Sequence, residues 1–427
     1  MQTLGNEGAY SMEASNSVDS APAKTTVATS TAPLRGTVIR RVEELESIRP
    51  MWTAWQNHPN SDFEHYAAVL ASLPGVQRPH VIVAYRDSTP VALLAGRLDR
   101  ASFDFTVGYR PVFKIGVSRL TFIHAGYLGE SSTEVATCFM DCIEQSLISR
   151  EGDLAYFNHL RLDSELHRAI QSGGRELSHD HLLLSQNHRA MSLPDSVDAF
   201  YGTLSPKVRK NQKWQAKRLN NEFAGEVAVK CLGQPEELNT MFEDLEQIAK
   251  KTYQRGLGAG FIDNAETRKL MTEQARRGML RSHILYIQNK PVAFWIGVVY
   301  GTTFHSAAMG YDPQFAKYSP GMFLIMKVVE EMCSQRHAGS VGEIDFGFGD
   351  AQYKQILGTQ EWHEAALYVY GPGMKGRALG TARHVNMFVD QAARGFLERT
   401  QLIARVKRVW RNRLRDRGSN QAEHTEH

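Results

Sequence analysis

The stretch HVIVAYRDSTPVALLAGRL, residues 80–98, is an apolar run, a polar turn carrying a proline and a second apolar run, which is the pattern of a β-hairpin. SHILYIQNKPVAFWIGVVY, residues 282–300, repeats it, down to Pro291-Val292-Ala293 matching Pro90-Val91-Ala92. The likeness continues outward. RLTFIHAGYLG (119–129) and GTTFHSAAMGYDP (301–313) are apolar strands with a late Gly-Tyr. Each leads to a helix-length segment, EVATCFMDCIEQSLI (134–148) and GMFLIMKVVEEMCSQ (321–335), and then to a short apolar strand, LAYFNHL (154–160) and EIDFGFG (343–349). An internal repeat of strand, strand, strand, helix, strand predicts two related α/β units packed side by side.

The rest of the chain frames this repeat. At 427 residues, 42% hydrophobic and 22% charged, it has the composition of a soluble protein large enough for about two domains. It contains no apolar run long enough to span a membrane, and its first residues lack the basic start and apolar centre of a secretory leader; a cytoplasmic location is expected. The cysteines Cys138, Cys142, Cys231 and Cys333 form no CxxC pair, so neither a disulfide framework nor a structural zinc is expected, and no metal site is read from the sequence. Residues 1–35 are rich in Ser, Thr and Ala and read as a disordered tail. The segment 397–418 has Leu402, Ile403, Val406, Val409, Trp410 and Leu414 at helical spacing among arginines, a basic amphipathic helix that would dock on the body or touch an anionic membrane surface. The limits expected are a tail at 1–35, units at 36–195 and 196–375, C-terminal helices at 376–418 and a tail at 419–427.

Between the repeats, SPKVRKNQKWQAKRLNNEF (205–223) opens with Ser205 as N-cap and Pro206 in the first turn. Arg209, Lys213 and Lys217 then fall on one helix face, where like charges repel unless an anion is met. A second helix, 235–256, carries Leu238, Met241, Phe242, Leu245, Ile248 and Ala249 on an apolar stripe.

Two constellations could carry chemistry. The first is the helix start around Ser319-Pro320-Gly321, whose unpaired N–H groups could cradle a pyrophosphate or an oxyanion. The second is IDFGFGDAQYKQIL (344–357), which sets Asp345 in or at the end of a short strand and Asp350, Tyr353 and Lys354 just beyond it, with Gly347 and Gly349 bracketing a turn. A carboxylate at a strand end can take a proton from an attacking amine or hydroxyl, while a phenol and an ammonium can stabilise an oxyanion or a leaving thiolate. Asp350 could equally cap the following helix, and Lys354 could be a surface cation paired with it. His305, on the preceding strand, is a further candidate base.

In their order, KVRKNQKWQAKRL, KKTYQRGLGAGF, the long segment 283–332 and EIDFGFGDAQYKQILGT resemble the GNAT-superfamily acyltransferases of the CelD/BcsL type, relatives of the Fem-type peptidoglycan aminoacyl transferases. The match is best over about 200–370. The resemblance implies an α/β fold of two tandem GNAT-like units, each a mixed, mostly antiparallel sheet flanked by helices, with a helical insertion. It implies transfer of an acyl group, usually acetyl from acetyl-CoA or another acyl-CoA, to an amine or hydroxyl of a sugar-containing or cell-envelope precursor, with polysaccharide biosynthesis as the setting. The family's Asp, Gly-Asp and Tyr-Lys pattern falls on Asp345, Gly349-Asp350 and Tyr353-Lys354. The acyl-CoA would lie along 304–311 with its phosphates near Tyr318, Ser319, Pro320, Gly321, Met322 and Phe323, and the acceptor against Arg209, Lys213 and Tyr253. The chain departs from ordinary GNAT enzymes in having KYSPGMF in place of the Gln/Arg-x-x-Gly-x-Gly/Ala loop, and Gly347-Phe348 where relatives more often have Leu-Arg. Chemistry is expected in the second unit only, since the first has no Tyr-Lys pair. Two rival readings are an aminoacyl-tRNA-dependent transferase, although nucleic acid is not the expected partner, and a non-catalytic GNAT scaffold that binds an anionic polymer or membrane.

Overall fold

The computed structural model describes residues 33–399, apart from 108–109, 173–177, 181–184, 253–254, 256–259 and 338. Tyr253, most of the basic 397–418 segment and nearly all of the N-terminal tail therefore lie outside the described residues. Among the described residues no helix is long and apolar enough to cross a membrane.

The repeat read from the sequence is present, with matching irregularities. In the first half β1 (Leu34–Ile39), β3 (Val81–Arg86), β4 (Thr89–Val107), β5 (Arg110–Gly129) and β6 (Leu154–Arg161) lie side by side, with β2 (Val76–Pro79) added on β4. In the second half β9 (Val227–Leu232), β10 (Leu280–Ile287), β11 (Lys290–Tyr300), β12 (Thr303–Tyr311) and β13 (Glu343–Phe348) take the same order. The prolines, expected in the turns, sit instead at the start of the second strand. Pro90 faces Tyr85 and Pro291 faces Tyr286, each beside a register shift, where a residue without an N–H is tolerated. The turns are Asp87-Ser88 and Gln288-Asn289, and Asp87, Gln288 and Asn289 take the positive φ of tight hairpins. A second pair of irregularities also matches. Gly96 faces Phe122 and Gly297 faces Ser306, each next to a break in register. A Cβ on Gly297 would come within 2.4 Å of the His305 carbonyl, so only glycine lets β11 and β12 close there.

Each half then closes on the other. The last strand of the first half, β8 (Gln186–Ser192), pairs antiparallel with β13 of the second. The last strand of the second half, β14 (Gln360–Tyr370), pairs antiparallel with β6 of the first, and β8 and β14 pair with each other in the middle. A short β7 (Ser178–His179) edges β14. The halves are thus one continuous 14-stranded sheet, mostly antiparallel, with exchanged strands at its centre. The parallel pairs β5–β6 and β12–β13 are the exceptions, each connected by a helix, Thr133–Ile148 and Pro320–Ser334.

Helices cover both faces. The Thr133–Ile148 and Pro320–Ser334 helices bury Phe139, Ile143, Leu324 and Ile325 against their halves, and the 206–222 helix joins the second of these cores through Leu219. The helices Val42–Trp55 and Phe63–Ser72 cover the first half through Trp52 and Tyr66, while Leu238–Ala249 and Ala265–Arg276 cover the second. All six stripe residues read from the sequence in the 235–256 segment are buried. Ser205 caps its helix as expected, accepting from the Val208 N–H. The two covering layers are tied by Asp62, which is 1% exposed. Its carboxylate accepts two hydrogen bonds from Arg277, at 2.8 and 2.7 Å, and one from the Tyr300 hydroxyl at 2.9 Å.

Exchange of β8 and β14 makes the halves mutually dependent. Calorimetry of the intact chain should show one cooperative transition, and residues 33–195 or 196–399 expressed alone should fail to show one. Two independent transitions in the intact chain would contradict the exchange.

Candidate functional site

The centre of the sheet is where histidines gather. β12 and β13 pair from Thr303 and Glu343 as far as His305 and Asp345, after which they part; β5 and β6 likewise part after Phe122 and Phe157. Just past the second opening stand His124 and His159, and the neighbouring exchanged strands bring His188 on β8 and Trp362 and Glu364 on β14. The 58–62 segment supplies His58, whose ring meets those of His124 and His305 edge-on, at centroid distances of 5.0 and 4.6 Å. Phe348 stacks on His159 at 4.0 Å, and Trp362 stacks on His188 at 4.3 Å.

Asp345 is the hub. Its Oδ1 lies 2.6 Å from His188 Nε2 and accepts from the Gly347 N–H at 2.7 Å; its Oδ2 lies 3.3 Å from His305 Nδ1. Gly347 has φ +69°, which lets the chain turn back so that this N–H reaches the carboxylate. Burial alone pushes the Asp345 carboxyl up, but the hydrogen bonds from His188 and His305 outweigh it and hold the group well below the usual carboxylate range. Burial likewise lowers His188, and Asp345 and Glu364 overcome it, raising the imidazole to about 9. Burial, with His305 and His124 alongside, pushes His58 down to about 3, so it is neutral. His305 Nε2 is buried without a hydrogen-bond partner.

The structure separates the residues that 344–357 held close in sequence. Asp345 belongs to the histidine cluster. Asp350 is exposed, accepts from the Asn187 side chain at 2.9 Å and does not cap the next helix, whose N-cap is Ala351. Lys354 is not a surface cation: it is buried and donates to the Phe348 carbonyl. Burial lowers its ammonium to about 8, against the pull of Asp345 and Asp350. Tyr353 packs edge-on to Phe346, beside Ser306 on β12, and burial raises its phenol to about 12.

The six residues expected around an acyl-CoA divide as well. Tyr318 is buried and donates its hydroxyl to Glu222, Pro320 is buried at the helix start, and Phe323 is buried in the second-half core, with Met322 packed against it. Ser319 has φ +51° and provides no side-chain cap, so the first turn of the Pro320–Ser334 helix has no side-chain acceptor at Ser319. A Cβ on Gly321 would meet Tyr311 at 3.5 Å, on the strand that the acyl-CoA was expected to follow. Arg209 is half-buried and Lys213 exposed, its Nζ 5.5 Å over the Tyr201 ring. Neither has an ion-pair partner among the described residues.

His58, His124, His159, His188, Trp362 and Glu364 escaped the sequence reading, and most of them come from or pair with the first half, which is therefore not a bystander. A signal existed: Asn-His occurs at 57–58, 158–159 and 187–188, and both repeats carry a histidine in their third strand.

Lysine Cε resonances should include one that titrates near pH 8 and disappears in Lys354→Met. Because the folded value lies below that of free lysine, its cost to stability is fully present below about pH 8 and is relieved as pH rises toward 10.5. Stability of the wild type should therefore rise over that interval relative to Lys354→Met.

Residues 206–355 match the model of the acetyltransferase (GNAT) domain, so the chain carries such a domain and is an acyltransferase. The first half repeats the order of its sheet. No curated protein matches the chain. Among solved structures, FemX is similar at 10% identity over 73% of this chain and 93% of its own, with a TM-score of 0.48. A tandem GNAT protein from the clavulanic acid biosynthesis pathway is similar at 8% identity, over 80% and 99%, with a TM-score of 0.42. A GCN5-related N-acetyltransferase from Kribbella flavida is similar at 13% identity, over 66% and 87%, with a TM-score of 0.33.

Proposed function

We propose that this GNAT-domain acyltransferase moves an acyl group, in the first instance acetyl from acetyl-coenzyme A, to an amine or hydroxyl of a sugar-containing or cell-envelope precursor. The observation that carries the reading is the Asp345–His305 dyad at the point where β12 and β13 part. A carboxylate facing Nδ1 fixes the imidazole so that its buried, unpartnered Nε2 can accept a proton. Neighbouring residues of a strand face opposite sides of the sheet. His305 therefore lies on one side of the opening and Ser306, with Tyr353 beside it, on the other.

In this reading the acceptor's nitrogen or oxygen attacks the thioester carbonyl while His305 Nε2 takes its proton. The new C–N or C–O bond forms, the C–S bond breaks, and the leaving thiolate is met by the Tyr353 hydroxyl and the field of the Lys354 ammonium. Of the two bases considered from the sequence, His305 is preferred to Asp350, which is exposed and occupied by Asn187. The uncapped helix start at Ser319–Gly321 suits the pyrophosphate of coenzyme A. The row Arg209, Lys213 and Lys217, which has no ion-pair partner among the described residues, suits an anionic acceptor, such as a sugar carrying phosphate.

Calorimetric titration with acetyl-coenzyme A and with coenzyme A tests the donor. Binding to wild type and Lys354→Ala, lost in a Gly321→Trp variant that keeps its circular dichroism, is the expected pattern. Once an acceptor is found, His305→Ala should slow thiol release by about 10²–10⁴-fold with donor affinity within about twofold. Absence of any binding to wild type overturns acetyl-coenzyme A as donor. It directs the search to aminoacyl-tRNA, whose binding would weaken steeply with salt.

A further inference from the structure

We infer that His124, His188 and Glu364 form a binding site for a divalent metal ion of the zinc class, which clasps the exchanged strands at the centre of the sheet. Three donor atoms converge there. Glu364 Oε2 lies 3.2 Å from His124 Nε2 and 3.4 Å from His188 Nδ1, and donor atoms of all three residues lie within 4.8 Å of one another. His188 and Glu364 are each only 2% exposed. His188 Nδ1 and Glu364 Oε2 nevertheless have no hydrogen-bond partner, so these close approaches lack hydrogen-bond direction. Zinc bonds of about 2.0–2.1 Å at tetrahedral angles set neighbouring donors about 3.3 Å apart, which is the spacing of Glu364 Oε2 from each of the two histidine nitrogens.

The outer atoms of the same side chains are already engaged. His188 directs Nε2 at Asp345, 2.6 Å away, fixing Nδ1 as the inward donor. Glu364 Oε1 accepts from Trp362 Nε1 at 2.6 Å. His124 Nδ1 lies 3.4 Å from the Asn60 amide, whose two ends exchange by a flip. A carboxylate, carbonyl or amide behind each ligand is the usual support of a metal centre. Among the described residues neither Glu364 nor Asp345 has a lysine or arginine within 4 Å, and a divalent cation bound here takes the place of the His188 proton that otherwise stands between the two carboxylates. The adjacent trio His58, His305 and Asp345 differs, because its His305–Asp345 contact is a hydrogen bond.

The three ligands come from β5, β8 and β14, so the ion joins the first half's own strand to both exchanged strands. Three protein ligands leave a fourth position for water. The recurring histidines of the sequence do not by themselves mark a metal centre, since ligands at 124, 188 and 364 have no motif spacing.

Tag-free, full-length protein stripped with a chelator and titrated with Co²⁺ should bind one equivalent with the intense visible bands of tetrahedral cobalt. Zn²⁺ should displace it and raise the melting temperature. Glu364→Gln and His124→Ala should lose both effects while keeping their circular dichroism, and His159→Ala should keep both. X-ray absorption of the zinc-loaded wild type, which needs no variant, should count two imidazoles. The proposal is overturned by the absence of one-to-one binding to wild type, by binding undiminished in both ligand variants, or by any other imidazole count.

Discussion

Everything in this molecule hangs on the antiparallel seam between β8 and β14. A β-strand at a sheet edge presents unpaired N–H and C=O groups. Had each half kept its own last strand, the centre of the molecule would hold two such edges or a weak contact between two separate sheets. Exchange removes both edges at once, because β8 completes the second half, β14 completes the first, and the two complete each other. Asp62, reaching from the first half to Arg277 and Tyr300 of the second, fixes the helical layer above the same seam.

The seam also explains where the chemistry sits. A polar cluster can be buried only where its members satisfy one another. The exchange brings side chains from β5, β8, β12, β13 and β14 into a space no single half could enclose. Two carboxylates held ionised amid five histidines make a site of high field inside an otherwise apolar sheet. That arrangement orients a base at His305 and leaves inward-facing donors at His188 and Glu364.

Much of the fold was legible in the chain because its determinants are local. Pro90 and Pro291, Gly96 and Gly297, and the apolar runs around them recur because both halves need the same bulges, and a repeated backbone irregularity leaves a repeated residue. The exchange was not legible, since QNHRAMS and QEWHEAALYVY are strand-like wherever they pair. The site was half legible. Asp345 stood out by its place near a strand end and His305 as a histidine within an apolar strand, whereas Glu364 reads as an ordinary alternating polar residue on β14. The alternative that made Lys354 a surface cation rested on its acidic i−4 neighbour; the fold instead turns it inward to the Phe348 carbonyl.

The crossing of β8 and β14 has a further consequence for the newborn chain. When β8 leaves the ribosome, both of its eventual neighbours are still unmade, and translation at about 5–20 residues per second delays the end of β14 by roughly ten to forty seconds. Through that interval the first half exposes the bare margins of β6 and β8, surfaces that invite pairing with a neighbouring nascent chain. Contacts so distant along the chain also make the final closure slow. The same residues that complete the finished sheet are thus the ones that a holding chaperone would need to shield during synthesis.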